Sequence, residues 1–203
     1  NITAIRSERL MISSSSGEGA SVTSVGVVPT RAIAYLTRTA GYHAGVVISA
    51  SHNPYEDNGI KVFSSDGTKL NDADEIAIEG RIHQLIGARN GAATDTIPET
   101  TVSAYNRTAW PSRYQEHLLS HFETGRWLAG KRIVMDCANG AMSEIAPAVL
   151  RRLGAELTVI NGSPTGRNIN AGCGAVHLDS LMSAMHNHTA DLGVAFDGDG
   201  DRS

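Results

Sequence analysis

The sequence predicts an α/β fold of two consecutive domains with mixed, largely parallel sheets. Three observations carry that expectation. Short β-branched runs alternate with helix-length stretches from Val22 onward, the pattern of strand–helix–strand units. That periodicity breaks once, at GARNGAATDTIPET (residues 87–100), a stretch of turn and breaker residues. Each half also delivers its most polar, glycine-containing loop directly after an apolar strand, and open α/β sheets bind ligands at the carboxyl ends of strands. The break divides the chain into a first domain over residues 1–100 and a second over 101–203.

Residues 1–21 show no clean period and include four consecutive serines, Ser13 to Ser16, so they read as a loop or frayed end. VTSVGVV (22–28) is a short strand, and Pro29 fits the first turn of a helix over PTRAIAYLTRTA (29–40). AGVVISA (44–50) carries no charge and reads as a strand buried on both faces, as in a parallel sheet. A polar loop, SHNPYEDNG (51–59), precedes a short strand IKVF (60–63). Asn71 and Asp72 open a helix through Ile86, with Ile76, Ile78, Ile82, Leu85 and Ile86 largely on one side. In the second half a helix over 102–122, interrupted at Pro111, connects to strand RIVMD (132–136) and a helix over 141–153. Strand AELTVI (155–160), a glycine- and asparagine-rich loop, a helix over 175–187 and strand DLGVAF (191–196) complete the pattern.

Composition excludes several classes. With 41% apolar and 19% charged residues the chain is an ordinary globular protein rather than a disordered one. A net charge of -4 argues against a nucleic-acid binder. No apolar run approaches the roughly 20 residues that span a bilayer, and the first residues lack the apolar stretch of a signal peptide. Cys137 and Cys173 are too few for a disulfide framework, so the expected location is the cytoplasm. Glycine is in excess: 21 residues, about a tenth of the chain against a usual ~7%.

Two loops carry chemistry. In Asp197-Gly198-Asp199-Gly200-Asp201-Arg202, three carboxylates stand at alternate positions after an apolar strand. Placing them together is unfavourable unless a cation neutralises them, and hard oxygen ligands select Mg²⁺ or Ca²⁺. An EF-hand would need glycine where Arg202 stands, and a dehalogenase-type phosphatase would want Thr or Val in place of Asp201. The second loop, Ser49-Ala50-Ser51-His52-Asn53-Pro54, follows the other apolar strand. Read alone it is a turn with an Asn-Pro breaker. Beside a metal loop, Ser51 becomes a nucleophile or phosphoryl carrier, because a neutral hydroxyl needs a base or a metal to react. Lys61, ten residues on, is placed to exchange a proton with a sugar hydroxyl or to bind phosphate. His186 and His188 read as a solvated helix end, and Cys173 with His177 lacks the further ligands of a zinc site. His117 and His121 read as surface or interface residues, Trp110 and Trp127 as packing, and Lys131-Arg132 as an exposed edge.

At these two loops the chain resembles the α-D-phosphohexomutase superfamily. The superfamily's phosphoserine signature is similar to ISASHNPYEDNGIKVF at 48–63, and its metal loop to FDGDGDR at 196–202. DCANGA (136–141) and INGSPTGRNINAGCGAVH (160–177) resemble one branch, the bacterial phosphoglucosamine mutases. The resemblance implies two phosphohexomutase-type domains, the first incomplete at its N-terminus, with further domains beyond Ser203. It implies a cytoplasmic enzyme interconverting glucosamine 6-phosphate and glucosamine 1-phosphate through a phosphorylated Ser51 and a bisphosphorylated sugar, on the way to peptidoglycan precursors. It maps Ser51, Asp197, Asp199 and Asp201 onto ligands of one Mg²⁺. Lys61 and Arg202 map onto groups that assist proton transfer and hold phosphate charge. The expected partner is a phosphosugar, with no nucleic acid and no membrane, in a chain compatible with a homodimer. The chain departs from the pattern at Arg31, where relatives commonly have proline, and at Ala175-Val176, where they favour Ser-Thr. Two alternatives stand beside this reading: a mutase of glucose or mannose phosphates with the same fold, and a non-catalytic module that binds metal or phosphosugar.

Overall fold

The computed structural model describes residues 9–14, 20–88, 102–103, 109–122 and 125–203. They form two sheets flanked by helices. The first sheet has strand order β4-β3-β1-β2-β5, built from β1 (Arg9–Ser14), β2 (Ala20–Gly26), β3 (Ala44–Ser49), β4 (Gly59–Ser64) and β5 (Val102–Ser103). The second is parallel throughout, in the order β7-β6-β8; these strands are β6 (Arg132–Asp136), β7 (Glu156–Ile160) and β8 (Leu192–Ala195). Five helices complete the fold: α1 (Thr30–Thr39), α2 (Asp72–Ala88), α3 (Ala109–Leu119), α4 (Ile145–Arg152) and α5 (Asp179–His188).

The α/β class and its two successive domains hold, with corrections inside them. β3 reads as a parallel strand in sequence, yet pairs antiparallel with β1 on one side and β4 on the other. Against β4 the reason is connection length. Residues 50–58 between β3 and β4 are fewer than the dozen or more that a parallel crossover takes. In the first sheet only β2 and β5 pair in parallel. Residues 9–14, read as loop, form β1 at the sheet's centre, because strand pairing on both sides supplies what local periodicity lacks. Residues 1–8 and 15–19, and most of the break at 87–100, lie outside the described residues.

The helix expected over 102–122 begins at Ala109, and residues 102–103 pair with β2 instead. Pro111 does not interrupt it. Proline sits in the first turn, where its missing N–H has no intrahelical partner to lose. Asn71 caps α2, its side-chain oxygen accepting from the Asp74 N–H at 3.0 Å. Ile76, Ile78 and Ile82 of α2 do not reach a core but are exposed; the side chains of Leu85 and Ile86 lie outside the described residues.

One hydrophobic cluster joins the domains. Val25, Ile33, Leu36, Val47 and Phe63 pack with Tyr114 of α3, with Ile145 and Val149 of α4 and with Leu153 just after it. Ile33 and Leu36 are fully buried, each stabilising the fold by about 1.5–3 kcal/mol. Gly45 of β3 allows this packing, since a Cβ there would run into the Thr37 side chain and approach Ile33 Cγ2 to 2.8 Å. In the second domain successive residues of β6 serve opposite faces. Val134 packs with Leu181 of α5, and Met135 with Ala146 of α4. The shared core fixes the ends of β3 and β8 in relation to each other. Among the described residues no helix is long and apolar enough to cross a membrane.

Candidate functional site

Two loops from different domains meet at these strand ends. Ser51, two residues beyond β3, has φ of +55°, a left-handed conformation disfavoured for a residue with a Cβ. Its surroundings hold it there. The Ser51 N–H donates to Ser49 Oγ at 2.9 Å. The carbonyls of Ser51 and Asn53 each accept from Asn170 Nδ2 at 2.8 Å. Asn170 is buried and itself left-handed, with φ of +56°.

Beyond β8 the chain turns so that Asp197, Asp199 and Asp201 aim carboxylate oxygens within 4.8 Å of one another. Asp197 organises its own loop, with Oδ1 accepting from the backbone N–H of Asp201 at 3.1 Å and of Arg202 at 3.3 Å. The turn also presses against the serine loop. A Cβ on Gly198 would lie 2.5 Å from the Ser51 carbonyl oxygen and 2.6 Å from Ile169 Cδ1, so only glycine permits this approach.

The two loops place the sequence-selected side chains together. Ser51 Oγ lies 3.4 Å from both Asp197 Oδ2 and Asp199 Oδ1. Arg202 Nη2 donates to Ser51 Oγ at 3.0 Å and to His52 Nδ1 at 2.7 Å. Lys61, on β4, donates from Nζ to Asp199 Oδ2 at 2.7 Å and Asp201 Oδ2 at 2.9 Å. The Thr30 hydroxyl donates to Asp199 Oδ2 at 2.6 Å, and its N–H donates to the Asp199 carbonyl at 3.0 Å.

Charge is crowded here. Burial, and then the Asp199 carboxylate, push the Asp197 pKa up to about 6. Burial pulls Lys61 down, but its hydrogen bonds and charge contacts with Asp199 and Asp201 outweigh that, leaving its pKa above the ordinary value. Asp201 Oδ1 is buried without a hydrogen-bond donor, although Arg202 Nε stands 3.5 Å away. An unpartnered buried carboxylate oxygen, a neighbouring carboxylate resisting ionisation and an all-oxygen donor set fit a hard divalent cation. Asp197, Asp199 and Asp201 are the residues that could hold one, and no other group of three metal-ligating side chains is found among the described residues.

Asn170, Thr30 and Asp136 were not singled out by residue-level reasoning. The Asp136 carboxylate is fully buried. It accepts from the N–H groups of Ala138 (2.9 Å) and Gly174 (3.0 Å), from Asn161 Nδ2 (3.0 Å) and from Ser180 Oγ (3.2 Å). It thereby holds both ends of the loop that carries Asn170 against the turn that follows β6. The usable signals were an aspartate closing an apolar strand and an asparagine in a glycine-rich loop, which tolerates left-handed backbone. His186, His188 and His177 are exposed, away from any such cluster. The Cys137 and Cys173 thiols are free and buried, their pKa values pushed to about 12 and about 11, first by burial and then by Asp136. His117 stacks on Tyr35, with ring centroids 3.8 Å apart. Trp110 packs edge-on against Tyr42, and Trp127 is largely exposed.

The family model described as phosphoglucomutase/phosphomannomutase, alpha/beta/alpha domain I, matches residues 6–87, and that for domain II matches 112–203. The chain belongs to the phosphoglucomutase/phosphomannomutase family. Within that family it is 51% identical over 187 residues to a phosphoglucosamine mutase of Pseudomonas aeruginosa (strain LESB58), an alignment covering 92% of this chain and 40% of that one. It is 50% identical over 188 residues to a phosphoglucosamine mutase of Alkalilimnicola ehrlichii, covering 91% and 39%. The chain therefore spans about 40% of the length of these curated relatives. A crystal structure of a phosphoglucomutase/phosphomannomutase family protein from Burkholderia thailandensis is similar in fold, with a TM-score of 0.65 and 25% identity. That similarity covers 89% of this chain and 38% of the other. The phosphoserine-like and aspartate loops fall one in each of the family's two matched domains.

Proposed function

We propose that this chain carries the phosphoryl-bearing and metal-holding part of a phosphosugar mutase site, and that the enzyme interconverts glucosamine 6-phosphate and glucosamine 1-phosphate. The observation that carries the reading is the convergence on Ser51. Its hydroxyl faces two buried carboxylates at 3.4 Å and the Arg202 guanidinium at 3.0 Å. A division near residue 100 puts Ser51 in the first domain and the aspartates in the second, so the site forms where the two meet. Relatives sharing about half of their aligned residues with this chain and named phosphoglucosamine mutase favour the amino sugar.

In this reading active Ser51 is phosphorylated. The Oγ–P bond breaks as a new P–O bond forms to a substrate hydroxyl, giving a bisphosphorylated sugar. That sugar reorients and returns its other phosphoryl group to Ser51. Arg202 stands against Oγ and holds the negative charge that develops there. Each transfer moves one proton: the accepting hydroxyl releases one and the departing oxygen takes one. Lys61, held as an ammonium by its two carboxylates, relays that proton: in each transfer it gives one to the departing oxygen and takes up the one the accepting hydroxyl releases, ending as the ammonium it began. Asp197, Asp199 and Asp201, with an oxygen on Ser51, would hold Mg²⁺, whose contribution when bound is to offset the charge of the phosphoryl oxygens. Asn170 and Thr30 position the two loops.

The test uses the protein in its full encoded length. Incubation with ³²P-labelled glucosamine 1,6-bisphosphate should label Ser51, located by phosphopeptide mapping, and Ser51→Ala should lose label and turnover while keeping its circular dichroism. Turnover in the alanine variant would overturn the phosphoserine mechanism. Faster turnover of glucose or mannose 6-phosphate than of the amino sugar would overturn the substrate assignment alone.

A further inference from the structure

The facing stripes of α1 and α3 form a groove remote in composition from the acidic site. On α1, Arg31, Tyr35 and Arg38 lie at i, i+4 and i+7, and on α3 His117 continues into His121 one turn on, with Phe122 beside it. Such spacings align side chains on one face of a helix. The groove encloses about 530 Å³, within the range of small-molecule sites.

Its charge is unbalanced. Both guanidiniums are exposed, and among the described residues neither forms an ion pair. His121 contacts the His117 carbonyl through Nδ1 at 2.8 Å, which leaves Nε2 available. Burial, then the neighbouring His121 and Arg38, hold the His117 pKa below its ordinary value. The carboxylate on the rim, Asp66, is directed into its own turn, accepting from Ser64 Oγ, the Thr68 N–H and Thr68 Oγ1. Aromatic surface lies beside the cations: Tyr35 with His117 stacked upon it, and the half-exposed Phe122. Cations adjoining aromatic faces suit a ligand with clustered phosphates and a planar ring, because arginine binds phosphate in a fork and rings stack on aromatic side chains.

We propose that the α1–α3 groove binds a nucleoside diphosphate, with the phosphates between Arg31 and Arg38 and the base against Tyr35, His117 and Phe122. None of the residues lining the groove is among those placed at the Ser51 centre, and the proposal does not depend on the function assigned to that centre.

The experiment is calorimetric titration in EDTA with adenosine diphosphate, adenosine and inorganic pyrophosphate as probes. The diphosphate should bind at least ten-fold more tightly than either fragment. Arg38→Glu should weaken the diphosphate and pyrophosphate at least ten-fold, whereas Phe122→Ala should weaken the diphosphate and leave pyrophosphate unchanged. Lys61→Ala, which alters the acidic site, should leave diphosphate affinity within two-fold. Pyrophosphate binding as tightly as the diphosphate would overturn the proposal, as would Arg38→Glu without effect or a ten-fold loss in Lys61→Ala.

Discussion

The most informative single change is Asp197→Asn, because it separates the electrostatic strain of the acidic loop from its packing. Asp197 is 1% exposed, and burial followed by the Asp199 charge raises its pKa from 3.8 to about 6. A shift of roughly two units corresponds to about 3 kcal/mol. The sign follows from which state holds the proton. The unfolded chain releases it near 3.8 and the folded chain only near 6, so stability falls as pH rises through that window and the full penalty stands above it. Asparagine removes the charge and keeps an oxygen to accept from the Asp201 and Arg202 N–H groups. The variant also loses the Arg202 Nε contact at 3.5 Å, which with a half-exposed arginine is worth about 0–1 kcal/mol. Urea unfolding in EDTA, followed by tryptophan fluorescence, should therefore show the variant about 2 kcal/mol more stable than the parent at pH 7.5. That advantage should shrink toward zero near pH 4. With millimolar Mg²⁺ the parent should gain stability and the variant much less. A variant less stable than the parent at pH 7.5 in EDTA, or an advantage unchanged between pH 4 and 7.5, would refute the account of a carboxylate held charged against its environment.

Two further changes test how the loops are held. Asn170→Ala leaves the Ser51 and Asn53 carbonyls without their shared donor; it should reduce stability by about 1–3 kcal/mol and speed proteolytic cleavage within 51–58, and unaltered cleavage would count against a clamping role. Gly198→Ala forces a Cβ to within 2.5 Å of the Ser51 carbonyl, so the loops must part; it should lower stability by about 1–3 kcal/mol and slow Ser51 labelling more than ten-fold, and labelling at the parent rate would show that the contact is dispensable.

Much of this was legible in the residues. Strands ending at Ser49 and Ala195, each followed by a polar loop, were readable from uncharged β-branched runs, and so were β6, α4 and α5 to within a few residues. The serine and aspartate motifs were readable because their chemistry constrains residue type at close spacing. β1 was not, since its position at the sheet's centre depends on pairing with β3 as well as β2, and its β3 partners Ala44, Gly45 and Val46 are distant in sequence. The direction of β3 was misread because an uncharged strand looks the same in either orientation; loop length decided it. Thr30 and Asn170 escaped notice because the residues they bond lie 117 or more positions away, and no local pattern encodes such a pairing.

The sequence by itself determined the class of fold, the two domains and the two loops that carry reactive groups, because alternation of apolar runs and the charge of three closely spaced aspartates are local properties. Only the tertiary structure decided that these loops share one site. The core shared by α1, α3 and α4 brings Ser51 to within 3.4 Å of Asp197 across 146 positions of chain. Whether a serine is a turn residue or a phosphoryl carrier depends on that approach, and the approach is made by packing.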